Sequence, residues 1–109
     1  MTNKAEWLAL AERCEAATGP DKLLDMAIRF ALGAPVRPWN YTASLDAITA
    51  LIERELPEVQ WLCRTDTLGG FGNLYRRRNP DRSWPCFAFT PALALCAAFC
   101  RAMAEKVTT

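Results

Sequence analysis

The chain has 109 residues, 51% of them apolar and 23% charged, which suits one compact core and is too short for two. Thirteen Lys and Arg stand against twelve Asp and Glu, a formal charge of +1, so no global field draws the protein to a polyanion or an anionic membrane. His is absent, which excludes imidazole-based dyads and triads, the H-E-x-x-H metal helix and Cys2His2 zinc sites.

From Met1 the sequence runs straight into an amphipathic pattern, without the apolar stretch of a secretory leader. The most apolar run, Phe87 to Cys100, is broken by Thr90 and Pro91 and is too short to cross a bilayer. Cys14, Cys63, Cys86, Cys96 and Cys100 form no C-x-x-C pair and sit in apolar patterns, as reduced thiols packed like small hydrophobes do. The expectation is a cytoplasmic chain with no membrane contact.

Asn3 and Glu6 have capping-box spacing, and Trp7, Leu10, Ala11 and Cys14 recur at helical intervals, predicting a first helix over about 4–17. Gly19 stops it, and Pro20 and Asp21 suit the start of a second helix, whose apolar face of Leu23, Leu24, Ala27, Ile28 and Ala31 ends at Gly33. The two form a helical hairpin at 4–33. Residues 34–41 hold two prolines and two aromatics without period, an ordered connector pinned by Trp39 and Tyr41. Thr42 is a candidate cap for a third helix at 42–56, with Leu45, Ile48, Ile52 and Leu56 on one stripe and Pro57 as its stop.

After Pro57 the period falls to two, with Val59, Trp61 and Cys63 alternating with Gln60, Leu62 and Arg64, as in a half-buried strand. Residues 67–72, with Gly69, Gly70 and Gly72, read as a hairpin loop, 73–78 as the returning strand and 79–82 as a second turn. A third strand over Trp84–Phe89 contains Pro85 and therefore lies at an edge or starts after the proline. Thr90 and Pro91 then open a last helix at 91–106 whose first three turns carry no charge.

Gly69-Gly70-Phe71-Gly72 lacks the phosphate-loop pattern and its strand-to-helix setting. Cys96 and Cys100 are four apart on one helical face, but zinc sites normally announce themselves by closer pairs, so core packing is the expected role. The acidic pairs Glu12 and Glu15, Asp21 and Asp25, and Glu53 and Glu55 fall on polar helix faces. A nucleophile would need a Lys or carboxylate base, and Lys4, Lys22 and Lys106 lie near helix ends. The charge feature above background is Arg76-Arg77-Arg78 with Arg82, beside Tyr75 and Trp84. The balance moves from -2 up to Pro57 (six basic, eight acidic residues) to +3 beyond it (seven basic, four acidic). Strand alternation sends Arg76 and Arg78 to one face and Arg77 to the other.

The segments Thr18-Gly19-Pro20-Asp21 through Ala31-Leu32-Gly33, Tyr41 through Ala47 (Y-T-A-S-L-D-A) and Thr90 through Ala98 (T-P-A-L-A-L-C-A-A) together resemble the phage ABA sandwich domain family of small bacteriophage and prophage proteins. The resemblance covers the chain apart from 58–83 and implies a sheet held between helical layers, with no established activity. The α-β-β-β-α order from the third helix onward also resembles double-stranded-RNA-binding domains in topology, but the basic start of their last helix has no counterpart in Thr90-Pro91-Ala92-Leu93-Ala94-Leu95.

The expectation is one α+β domain over 1–109, with helices on both faces of a three-stranded antiparallel meander at 59–89, because the third strand is apolar on both sides. The expected role is that of a non-catalytic phage-type accessory protein, with no metal or cofactor, that works through protein–protein contact. Weak homodimerisation is expected through the last helix or the third-strand edge. The alternative is a small nucleic-acid-binding module that uses the arginine hairpin at 75–82, with Arg76, Arg77, Arg78 and Arg82 in contact.

Overall fold

The computed structural model describes residues 2–33, 39–67 and 69–107. The elements run α1 (Lys4–Ala16), α2 (Lys22–Leu32), α3 (Leu45–Glu55), β1 (Val59–Asp66), β2 (Gly69–Arg76), β3 (Asn79–Ala88) and α4 (Pro91–Lys106). Four helices and an antiparallel sheet of order β1-β2-β3 give the expected α+β class.

The helix ends follow from local chemistry. Asn3 caps α1 by accepting from the Glu6 N–H at 2.9 Å, and Gly33 closes α2 in the left-handed region at φ 79°. Thr90 caps α4, with Pro91 in its first turn. Two starts differ from expectation. Asp21, not Pro20, opens α2, because its carboxylate accepts from the Leu23 and Leu24 N–H groups. Ser44, not Thr42, caps α3, because Thr42 is engaged elsewhere. The Thr42 N–H donates to the Asp25 carboxylate at 2.8 Å, and its hydroxyl accepts from the Asp21 N–H at 2.9 Å. Both Thr42 and Asp25 are buried, so this pair locks the start of α2 to the connector. Residues 34–38 of the connector lie outside the described residues. Beyond them Tyr41 is fully buried, and the Arg29 guanidinium sits 3.9 Å over the Trp39 ring.

The sheet departs from expectation at both turns. Asp66 pairs with Gly69, so the glycines belong to β2 and not to a loop. Their reason is close approach: a Cβ on Gly72 would lie 2.8 Å from the Leu95 nitrogen and 2.9 Å from the Ala94 carbonyl carbon, and one on Gly70 would collide with the Thr90–Pro91 backbone. At the other end Arg76 pairs with Asn79, so Arg77 and Arg78 are the turn itself, and residues 79–82 belong to β3. The register then shifts, with Tyr75 opposite Ser83, leaving three residues of β3 without partners on β2. Pro85 pairs with Asn73 in β3, an edge strand, the position that tolerates a missing donor.

Helix α4 is the centre of the molecule. It touches all three strands, while α1 and α3 lie against it and reach β3 and β1. Every residue from Ala92 to Cys100 is buried. Trp7 of α1 meets Phe99 edge-on, with ring centroids 5.9 Å apart and planes at 87°. Ile48, Leu51 and Ile52 of α3 and Leu24 and Ile28 of α2 complete the same core.

The helices therefore gather on one face of the sheet, and the two-faced cover expected from β3 is corrected. Paired residues of antiparallel strands point to the same side. The helix side carries Gly70, Gly72, Leu74, Cys86 and Trp84, with Val59, Trp61 and Cys63 in register. The opposite side carries Leu62, Phe71, Phe87 and, one step beyond the strand, Phe89. There Phe87 is 63% and Phe89 60% exposed, and among the described residues no helix covers them.

The close seating of α4 gives a direct test. Gly72→Ala and Gly70→Ala force the helix off the sheet and are expected to lower the unfolding free energy by about 1–3 kcal/mol or more. Gly19→Ala, where nothing lies within 4 Å of the added methyl, is expected to leave it unchanged. Urea denaturation of the three variants measures the difference.

Candidate functional site

Three surfaces and one buried cluster hold the residues that chemistry could use. The first is the arginine turn. Arg77 and Arg78 are exposed and Arg76 is half-buried, and together with Pro57 and Glu58 they line a cleft of 460 Å³. The Arg77 N–H donates to the Glu58 carbonyl at 3.3 Å, which fixes the turn against the start of β1. A second cavity of 300 Å³ adjoins it, between the end of α3, Trp84 and the last turn of α4 at Ala102 and Lys106. Arg82 does not join this group. Its guanidinium pairs with the Glu105 carboxylate, which also accepts from the Trp84 indole N–H at 3.0 Å. The structure thus brings Arg76, Arg77 and Arg78 together and turns Arg82 toward α4, and Glu58 brings a carboxylate to the same cleft.

The second surface is the open face of the sheet, where side chains fall into cross-strand rows. Arg64, Phe71 and Phe87 form one row across all three strands, followed by Leu62, Asn73 and Pro85 and then by Gln60, Tyr75 and Ser83. The Phe71 and Phe87 rings lie 4.9 Å apart at 53°, and the Arg64 guanidinium stands 4.6 Å from the Phe71 centroid, within cation–π range. In the next row the Asn73 Oδ1 is buried without a hydrogen-bond donor among the described residues. The sequence pattern held these residues, but reading the glycines as a loop hid the register that aligns them.

The third surface is the outer side of α2. Leu24 and Ile28 face the core, while Leu23, Met26 and Phe30 point away from it, with Leu23 71% and Phe30 69% exposed. Their spacing of three and four residues makes one stripe. The sequence reading placed Leu23 in the core face, because the helix is apolar on both sides and periodicity alone does not say which stripe turns inward.

The buried cluster is made of thiols. Cys14 of α1 lies beside Cys96 and Cys100 of α4, all three without exposure. The Cys96 thiol donates to the Tyr41 carbonyl at 3.3 Å. Burial pushes Cys96 and Cys100 well above the usual thiol range, whereas a hydrogen bond from Cys100 holds Cys14 below it. Cys86 lies near the Arg101–Glu15 ion pair and is pushed up to about 12 by burial. All five cysteines are free. Among the described residues no group of three or more His, Cys, Asp or Glu is placed to hold a metal ion, and no helix is long and apolar enough to cross a membrane.

The raised thiols set an alkaline limit on stability. A group whose pKa is raised by folding stabilises the protein fully below its unfolded value, and that contribution is lost as pH rises toward the folded value. For Cys86 the window runs from 9.0 to about 12, and this thiol alone is expected to remove about 1.4 kcal/mol by about pH 10. Urea midpoints across this range are expected to fall in the wild type and to fall less steeply in Cys86→Ala.

Comparison with protein-family models, with curated proteins and with solved structures finds no match.

Proposed function

We propose that the protein is a non-catalytic module that acts through protein–protein contact, with the outer stripe of α2 as its contact surface and a second copy of the chain as a partner. The observation that carries this reading is the exposure of Leu23, Met26 and Phe30 on a helix whose other side is already in the core. Large apolar side chains grouped on one exposed face mark a contact surface. The spacing also suits self-association. In an antiparallel α2 pair with a two-fold axis between Met26 and Ala27, Leu23 of one chain meets Phe30 of the other, and Met26 meets Ala27, as an isologous interface requires. Lys22 and Arg29 do not fall opposite each other in this register.

The α2 route replaces the last helix as the dimer surface, because α4 is enclosed by its own chain. The absence of His from the sequence and the solvated setting of most carboxylates support a non-catalytic role. The phage-type accessory role rests on the resemblance of the helix-start segments, and five free cysteines support a reducing cytoplasm as its location.

Full burial of a large apolar side chain contributes about 1.5–3 kcal/mol, and association costs roughly 4–15 kcal/mol, so the dimer is weak. Light scattering over a concentration series is expected to show a mass that rises above the 12.2 kDa monomer in the wild type and stays there in Leu23→Asp/Phe30→Asp. Both positions are exposed, so the melting temperature is expected to hold. A wild type that remains at the monomer mass throughout overturns the α2 dimer.

A further inference from the structure

We infer that the open face of the sheet is a platform for single-stranded nucleic acid, with bases stacked on the Phe71–Phe87 row and the phosphate backbone drawn by Arg64 and the arginine turn. The surface shares no residue with the α2 stripe, so it stands apart from the protein-contact reading. Sequence-tolerant binding of single strands needs flat π-faces on which bases stack and cationic groups along the path of the backbone. This face supplies both.

Phe71 and Phe87 are neighbours on adjacent strands, Phe87 is largely exposed, and Arg64 lies against Phe71 from β1. Two rows further along, Tyr75 stands between Gln60 and Ser83, offering a second ring with hydrogen-bonding groups on either side. Rows on one face repeat at about 6.8 Å, twice the rise per strand residue, a spacing that an extended strand of nucleotides can follow. Asn73 lies between the two ring-bearing rows.

Charge complementarity selects this occupant. Of the five arginines in residues 59–89, Arg64 lies on the open face, Arg76 falls with Val59 on the helix side, and Arg82 pairs with Glu105. Arg77 and Arg78 are exposed at the end of the sheet beyond the Tyr75 row. Duplex bases are already stacked and paired, so their π-faces are closed to Phe87.

Fluorescence anisotropy of labelled oligo(dT), oligo(U) and a duplex, titrated with the full chain, tests the proposal. Binding of at least one single strand, tighter than that of the duplex and weakening steeply between about 50 and 200 mM salt, is expected. Phe87→Ala is expected to weaken it about tenfold. Phe71→Leu, which keeps apolar cover but removes the ring, is expected to act in the same direction, and Leu23→Asp/Phe30→Asp is expected to bind like the wild type. Absence of binding at about 50 mM salt, equal affinity for duplex, indifference to both Phe87→Ala and Phe71→Leu, or loss of self-association in Phe87→Ala without binding of any oligonucleotide would each overturn it.

Discussion

The seating of α4 directly on β2 is the constraint from which the rest of the arrangement follows. Gly70 and Gly72 remove the side chains that would hold helix and strand apart, and α4 answers with Ala92, Ala94, Ala97 and Ala98. A helix that is apolar through its first three turns needs cover on every side. The sheet supplies one side, and α1, α3 and the buried Tyr41 are drawn to the others. With α1 and α3 committed to enclosing α4 and α2 packed on α1, the described chain has no helix left for the far face of the sheet. The exposure of Phe87 and Phe89 is thus a consequence of where the small residues lie.

Polar contacts at the margins fix this arrangement more than they strengthen it. Glu105 gathers Arg82 and Trp84 from β3 onto the last turn of α4. Arg101 grips Glu15 through two nitrogens, with its Nε 3.3 Å from one carboxylate oxygen, and so joins α4 to α1. Lys106 donates to the Glu55 carbonyl at 3.1 Å and joins α4 to α3. These groups are partly exposed, and ion pairs in such settings contribute at most about 1 kcal/mol. Their effect is positional: the end of α4 is held, the second cavity keeps its walls, and one of the four candidate arginines is withdrawn from any anion site.

Helix order and most helix limits were legible in the sequence because caps and stops are local. Asn3, Gly33, Pro57 and the Thr90-Pro91 step act within one turn of chain, and each stands where expected. What was not legible depended on distant partners. Gly-Gly-Phe-Gly has loop composition, and what sets it apart is the period-two placement of Gly70, Gly72 and Leu74 opposite an alanine-rich helix. The Arg77-Arg78 turn carries no glycine or asparagine, while Asn79-Pro80-Asp81 offered stronger turn chemistry nearby, and the displacement took Arg77 and Arg78 out of the returning strand into the turn and put Arg82 in β3. Apolar residues on both sides of β3 were read as burial on both sides, although aromatic rings stacked on each other and on Arg64 satisfy the same pattern with water above them.

That difference bears on why the open face exists. Its β3 edge is protected against strand addition by Pro85 and a three-residue irregularity, both of which spoil pairing with another chain. Its surface is not protected in the same way. A ring that remains about three-fifths exposed, as Phe87 and Phe89 do, adds little to folding, since the hydrophobic contribution scales with area removed from water. Stability therefore accounts for Leu74 and Cys86 on the helix side and leaves Phe87 and Phe89 without a folding role. A sheet that blocks its β3 edge while presenting an aromatic row beside Arg64 discourages strand addition there and keeps rings and a guanidinium accessible, which is the combination a stacking ligand requires and a folding core does not.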